Sequence, residues 1–504
     1  MNTKDIHRPL LRSRGPGAQK KSMVGLLLGE GEGWDSNHVR IFCIMTARDM
    51  SMLVGLKKLV RISSVCTSGN RDVALETARL FRRAGLRVYF QKTRIGGELF
   101  MNVVGLKGRG TTSPLLLCSH LDTVPPGDLK KWTQTRGNPW NPVQKKNKLF
   151  GLGSADDKGP MAAMIHAASL FKEDDLRRPL ALLGSFGEES GMGGARLFVK
   201  SWKNPKPCLA VVGEPTALGI TYRHKGIGVM ELFLKSRNKS SPHLRKRVHP
   251  NSFTFRGRQA HSSRPWLGDN ALDKAMVFLK SYCKKNPNAQ VHSLEGGYAA
   301  NLIPDQATLV ASSDLTSGGL DAPALLACIE ARSTLLKFFS KKKDRTFYPP
   351  QITSNFGIAR TECGGLRLIF DFRLLPGQEA YKIYSVFQKE LLSALKKFPK
   401  VEWKIRIERD NPALPAHSRD PWVRFGSALL KKNKLPHTLT VKPACTEAGI
   451  YHAWGVPAFI FGPGESQGNI HEPNESMHIP DLKKAVKFYA SAIQKICVEN
   501  VLNS

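Results

Sequence analysis

The chain is poor in acid and lacks any organised cysteine pattern. It carries 41 Asp and Glu against 76 Lys and Arg, a formal charge of +35 over 504 residues. Its nine cysteines form no Cys-x-x-Cys pair and sit mostly among apolar or small neighbours. That spacing argues against a cysteine-ligated zinc site, and for reduced thiols in a cytoplasm rather than a disulfide framework. No run approaches the ~20 apolar residues of a membrane-spanning helix. The short "MVGLLLG" ends in "EGEGWD", so it reads neither as a signal peptide nor as an anchor. A zinc finger, an RNA-binding aromatic signature and a long basic arm are missing too. The positive charge is spread in pairs and triplets such as Lys130-Lys131, Arg245-Lys246-Arg247 and Lys341-Lys342-Lys343. It reads as a solvated surface rather than a nucleic-acid interface.

What is present is a run of buried-strand signatures separated by helices. "PLLLCSHLDTV", "PLALLGSFGEES", "CLAVVGEPT" and "VPAFIFGPG" are apolar enough to be covered on both faces. "DVALETARLFRRAG", "GPMAAMIHAASLFKE", "GGARLFVKSW" and "PDLKKAVKFYASAIQKIC" carry helical patterns between them. The alternation predicts an α/β sandwich around a largely parallel sheet. From about Lys225 the character changes to an α+β unit. Within it, "RNKSSPHLRKRVHPN" reads as a basic loop inserted into a single hairpin. The expected layout is a disordered extension over 1–50, a catalytic domain over 51–224 and 406–504, and an inserted domain over 225–405.

Polar residues gather where the apolar strands end. "LLLCSHLD" delivers His120 and Asp122, "GSADDKG" delivers Asp156 and Asp157, and "LLGSFGEES" delivers Glu188 and Glu189. "AVVGEP" delivers Glu214, and "FGPGESQGNIHEPNE" delivers His471. Singly, each is an ordinary core histidine or charged turn. In open α/β sheets, however, ligand sites form at the carboxyl ends of strands. Histidines and carboxylates without thiolate suit hard-to-borderline divalent ions. A carboxylate bridging two ions would give a two-metal site. Asp122, two residues beyond His120 on a strand, shares its face and is placed to orient the imidazole.

The motifs "SHLDTVPPGD", "LFGLGSADDKGPMAAM", "FGEESGMGG", "VVGEPTALGITYRHKG", "GRQAHSSRPWLGDNA", "NLIPD", "CTEAG" and "FGPGESQGNIHEPNESMHI" occur in that order. Together they resemble the co-catalytic zinc amidohydrolases and exopeptidases that include acetylornithine deacetylase, succinyl-diaminopimelate desuccinylase, aminoacylase and carboxypeptidase G. The resemblance spans roughly residues 50–500. It implies a zinc-peptidase-like α/β/α sandwich with an inserted ferredoxin-like α+β lid, and two zinc ions for which cobalt substitutes. By the resemblance, Asp156 matches the bridging ligand. His120 and Glu214 match the other ligands of one ion, and Glu189 and His471 those of the second. Glu188 matches the general base and Asp122 the residue that orients His120. His261 matches a lid histidine that, in dimeric members, reaches a partner's active site, so a homodimer through the lid is expected. Asn301 and Arg373 match lid positions that hold a substrate carboxylate.

The "CTEA" stretch resembles acetylornithine deacetylases, where Glu447 would meet a substrate ammonium or simply start a helix. The implied reaction is hydrolysis of an N-acyl amino acid, N-acetylornithine first, in arginine biosynthesis. N-succinyl-diaminopimelate, N-acetyl-lysine, N-acetyl-citrulline and dipeptides are the alternative substrates. From another class, the alternative is a basic, catalytically idle binding protein.

Overall fold

The four strand segments Leu115–His120, Leu180–Ser185, Leu209–Val212 and Ala458–Phe461 alternate between two apolar surroundings, which is why they read as continuous hydrophobic runs. Leu115, Leu117, Leu180, Leu182, Leu209, Val211, Phe459 and Phe461 pack into one cluster with the helices Arg71–Arg83, Lys158–Ser169 and Ile479–Ile493. The intervening Leu116, Cys118, Ala181, Leu183, Ala210, Val212 and Ile460 pack on the other face, with Gly193–Ser201 and Ala448–Ala453. Two helical layers therefore cover one sheet, the expected α/β/α sandwich. The structure is a computed structural model and describes residues 52–237, 250–313 and 319–500. The extension over 1–50 and nearly all of the basic segment 237–251 lie outside the described residues.

The sheet has eight strands, in the order Arg87–Ile95, Glu98–Lys107, Leu180–Ser185, Leu115–His120, Leu209–Val212, Ala458–Phe461, Ile220–His224, Leu439–Lys442. Its centre is parallel, and antiparallel pairs flank that centre on both sides. Parallel register sets His120 beside Ser185 and Cys118 beside Val212. Three strands thus release their chains at one edge, within a few residues of each other. All four carboxyl ends of the parallel core open on the same side, and the polar segments begin there.

The inserted unit is built on a second eight-stranded sheet. Seven of its strands run in the order Asn251–Arg256, Gln306–Ser312, Gln290–Gly296, Thr353–Glu362, Gly365–Leu374, Gly226–Ser236, Val401–Asn411, with Leu320–Asp321 paired onto Gln290–Gly296. The helices Ala271–Lys285, Ala322–Phe339 and Ala380–Leu395 share its core. One expectation is corrected here. Gly226–Ser236 and Asn251–Arg256 are not the two arms of an interrupted hairpin. The first pairs with Gly365–Leu374 and Val401–Asn411, and the second forms the far edge against Gln306–Ser312. Both segments read as strands in the sequence, and a strand pattern does not say which partner the strand takes. Among the described residues, no helix is long and apolar enough to cross a membrane.

Candidate active site

Asp156 lies between two imidazoles. Its Oδ1 is 3.0 Å from Nε2 of His120, and its Oδ2 is 3.1 Å from Nε2 of His471. His120 is the last residue of its strand and is buried, whereas Asp156 comes from the loop that opens helix Lys158–Ser169. His471 arrives from the loop after Ala458–Phe461, in the left-handed backbone region at φ 59°. For a residue with a Cβ that conformation is uncommon and costly, and it tends to be kept where a side chain must be aimed. The same Nε2 of His471 stands 2.9 Å from Oε1 of Glu189.

Asp122 sits beside His120, as its spacing suggests, and does more than that. The nearer partner of His120 Nδ1 is the Asp122 carbonyl oxygen at 3.0 Å, with the carboxylate at 3.7 Å. The carboxylate also accepts the backbone N–H groups of Glu188 and Glu189, each at 3.2 Å. Asp122 thus braces the turn that carries both glutamates. Sequence spacing missed this because the Glu188-Glu189 segment lies 66 residues away and is brought in by parallel register.

Glu475 was not singled out in the sequence, although it lies in the quoted "HEPNE". Its carboxylate accepts the N–H groups of Gly153 at 2.9 Å, Ala155 at 2.8 Å and Asp156 at 3.0 Å. Its own carbonyl accepts from Gly151 at 2.9 Å. One buried side chain therefore ties the loop of His471 to the loop of Asp156. A carboxylate four residues from a ligand, in a Gly/Pro/Asn-rich loop, was the available signal.

The charges explain the chemistry of the donor set. The His471 side chain is 41% exposed; partial desolvation works against its charge, but Glu189 and Asp156 outweigh that and raise its pKa to about 12. His120 is likewise raised well above its usual value, with Asp156 and Asp122 overcoming burial. Asp156, despite burial, is held far below the ordinary carboxylate range by the two imidazoles. Glu188 is pushed well above its usual value by burial and by the neighbouring Glu214. Carboxylates crowded this closely call for cations. Two sets of three ligand atoms lie within 4.8 Å of one another: His120, Glu188 and Glu189, and Asp156, Glu189 and His471. Imidazole and carboxylate without thiolate suit a borderline divalent ion, so the residues fit a metal centre. Glu214 belongs to neither set; its Oε2 is held by the Lys442 ammonium at 3.2 Å.

Asp157 belongs to neither set. The peptide joining it to Asp156 is cis. Its side chain is fully buried and pushed well above the usual range by burial, and its carbonyl accepts from Ser119 Oγ at 2.7 Å.

The inserted unit contributes His261 and Arg373. Nδ1 of His261 accepts the N–H of Ser263 at 3.1 Å and lies 2.7 Å from its hydroxyl. Burial, then the positive charges of Arg373, His471 and Arg264, lower His261 to about 3. The ring is therefore neutral, and with Nδ1 accepting, its proton sits on Nε2. These are contacts within one chain. Arg373 is buried and gives Nε and Nη2 to Asp371 Oδ2 at 3.2 and 2.8 Å, with Nη2 also 2.8 Å from Ser262 Oγ. Asn301 is exposed, and its carbonyl accepts from the Ser262 N–H at 2.9 Å. Glu447 takes the helix-start position that was one of its two expected places. It is 1% exposed at the start of helix Ala448–Ala453, 3.4 Å from the Tyr451 hydroxyl, and burial raises it to about 7.

The model of peptidase family M20/M25/M40 matches residues 116–495. An acetylornithine deacetylase of Photorhabdus laumondii is 26% identical over 405 residues, 79% of this chain and 84% of the relative. That of Klebsiella pneumoniae is 24% identical over 461 residues, 88% and 96% of the two chains. Among solved structures, the aminoacylhistidine dipeptidase of Vibrio alginolyticus superposes with a TM-score of 0.58 at 15% identity, covering 87% of this chain and 96% of that one. The dipeptidase Dug1p of Saccharomyces cerevisiae gives 0.56 at 13% identity, covering 91% and 98%. At these identities the structural likeness concerns the fold alone.

Proposed function

Because the chain belongs to peptidase family M20/M25/M40 and is a metal-dependent amide hydrolase, we propose that it deacylates an N-acyl amino acid, with N-acetylornithine the first candidate substrate. The observation that carries this reading is Asp156, which presents one carboxylate oxygen to each of two imidazoles. We assign His120, Asp156, Glu189, Glu214 and His471 to hold two divalent ions, zinc in the first place with cobalt able to replace it. Bound there, such ions acidify water and polarise a carbonyl.

The protein's own groups do the rest. Glu188 stands beside the ligands on the turn braced by Asp122. It takes the proton from the attacking water and returns it to the departing amine. Nε2–H of His261 is assigned as the neutral donor for the oxygen that gains charge. In this reading the His261 of the same chain fills that role. Arg373 has only Nη1 free of the hydrogen bonds described, and with Asn301 it is assigned to the substrate carboxylate. Residues 51–224 and 406–504 form the catalytic domain in this proposal, and 225–405 its lid. The names of the curated relatives support a deacylase, and "CTEAG" adds to the preference for acetylornithine.

The test is a hydrolysis screen of the metal-loaded protein against N-acetylornithine, N-succinyl-diaminopimelate, N-acetyl-lysine, N-acetyl-citrulline and dipeptides. N-acetylornithine should show the highest kcat/KM. A preference for a dipeptide would overturn the substrate assignment, and no turnover of any would overturn the function.

A further inference from the structure

Lys442 is an active-site cation that no part of the proposed chemistry uses. It ends the edge strand Leu439–Lys442, which pairs in parallel with Ile220–His224. Its Nζ donates to Oε2 of Glu214 at 3.2 Å. The two side chains are 21% and 9% exposed, so water screens the pair little. The same ammonium also feels the charges of Asp156 and Glu188.

The two ion positions therefore differ. Asp156, Glu189 and His471 converge with no lysine or arginine paired to either carboxylate among the described residues. On the other side, one oxygen of Glu214 is already engaged, and Glu214 stands outside both three-atom sets. An ion arriving at His120 and Glu214 must share that carboxylate with a tethered positive charge. The mutual repulsion, in a site poorly reached by solvent, is unfavourable.

We propose that Lys442 competes with the metal ion for Glu214, so that the Glu189–His471 position binds its ion tightly while the His120–Glu214 position binds weakly and exchanges. The lysine would then set the metal concentration at which the centre becomes complete. This rests on the metal-centre reading above, and it assigns Lys442 as a positioning residue.

The experiment is calorimetric titration of the metal-stripped full chain with cobalt(II), with bound metal counted by mass spectrometry and cobalt absorption followed in parallel. Wild type should bind its second ion at least about tenfold more weakly than its first. Lys442→Met and, as a second neutral variant, Lys442→Gln should tighten the second step by about 10–100-fold, the usual size of effects from groups that contact metal ligands. The first step should not move, and Lys442→Arg should keep the wild-type inequality. A second step unchanged or weakened in both neutral variants would overturn the proposal; weakening would mean that Lys442 holds Glu214 ready as a ligand. Glu214→Gln should remove the second step only, and a second step that survives it would overturn the proposal by showing that Glu214 does not serve that ion. A wild-type chain that binds no ion would sink the metal centre itself, whereas two equal sites would sink the role of Lys442 alone.

Discussion

Glu475 and Asp156 are joined by a hydrogen bond that neither residue's neighbours in sequence would suggest: the carboxylate of the first accepts the backbone N–H of the second at 3.0 Å. Because that carboxylate also takes the N–H groups of Gly153 and Ala155, it shapes the whole loop that aims Asp156 at His120 and His471. Glu475→Ala should therefore weaken metal binding by about 10–100-fold. Stripping three buried N–H groups of their acceptor should also lower stability by on the order of 3 kcal/mol. Denaturant unfolding with and without metal separates the two losses. Glu475→Gln, which keeps one acceptor oxygen, should fall between wild type and the alanine variant.

Glu188→Gln should reduce kcat by about 10²–10⁴ while the bound metal stays near the wild-type count. The glutamine keeps the shape of the turn, and the Asp122 carboxylate still receives both backbone N–H groups. Metal loss on this substitution, measured by mass spectrometry, would show that Glu188 is a ligand, as its place in the set with His120 and Glu189 allows.

His261→Ala should lower kcat by about 10²–10³ with a smaller change in KM, the expected result of losing a donor to the developing oxyanion. Under the same-chain assignment, mixing His261→Ala with Glu188→Ala protein should restore no activity. Recovered turnover in the mixture would show that the histidine serves a partner's site instead.

His224 supplies a pH dependence of stability. It is fully buried, with Nδ1 2.9 Å from the Lys225 carbonyl oxygen and Nε2 3.3 Å from the Thr446 hydroxyl. Burial first, then the charges of Lys442 and His452, lower it to about 4. Between pH 6.5 and 4 the unfolded chain binds a proton that the native chain does not, so stability rises with pH across that window. It falls as acid is added, by about 3 kcal/mol in total. Denaturation midpoints at pH 7 and pH 4.5 should show the fall, and His224→Gln should make it smaller.

The sequence by itself determined the layers and the chemistry of the site. Strands apolar on both faces, such as "LLLCSH" and "LAVV", demand cover on two sides. The polar residues immediately after them have only the sheet's carboxyl edge to occupy. Fold class, the donor types and the identities of His120, Asp156, Glu189 and His471 were legible for that reason. What tertiary structure alone decided is who contacts whom across long separations. Asp122 turned out to brace Glu188 and Glu189, Glu475 to hold the Asp156 loop, and Lys442 to hold Glu214. Glu447, which the motif left between a substrate contact and a helix start, opens helix Ala448–Ala453 beside the Tyr451 hydroxyl. The strand Asn251–Arg256 crossed to the far edge of its sheet. Periodicity reports which face of an element is buried. It carries no information about partner, register or the direction a loop takes, because those depend on contacts summed over the whole chain.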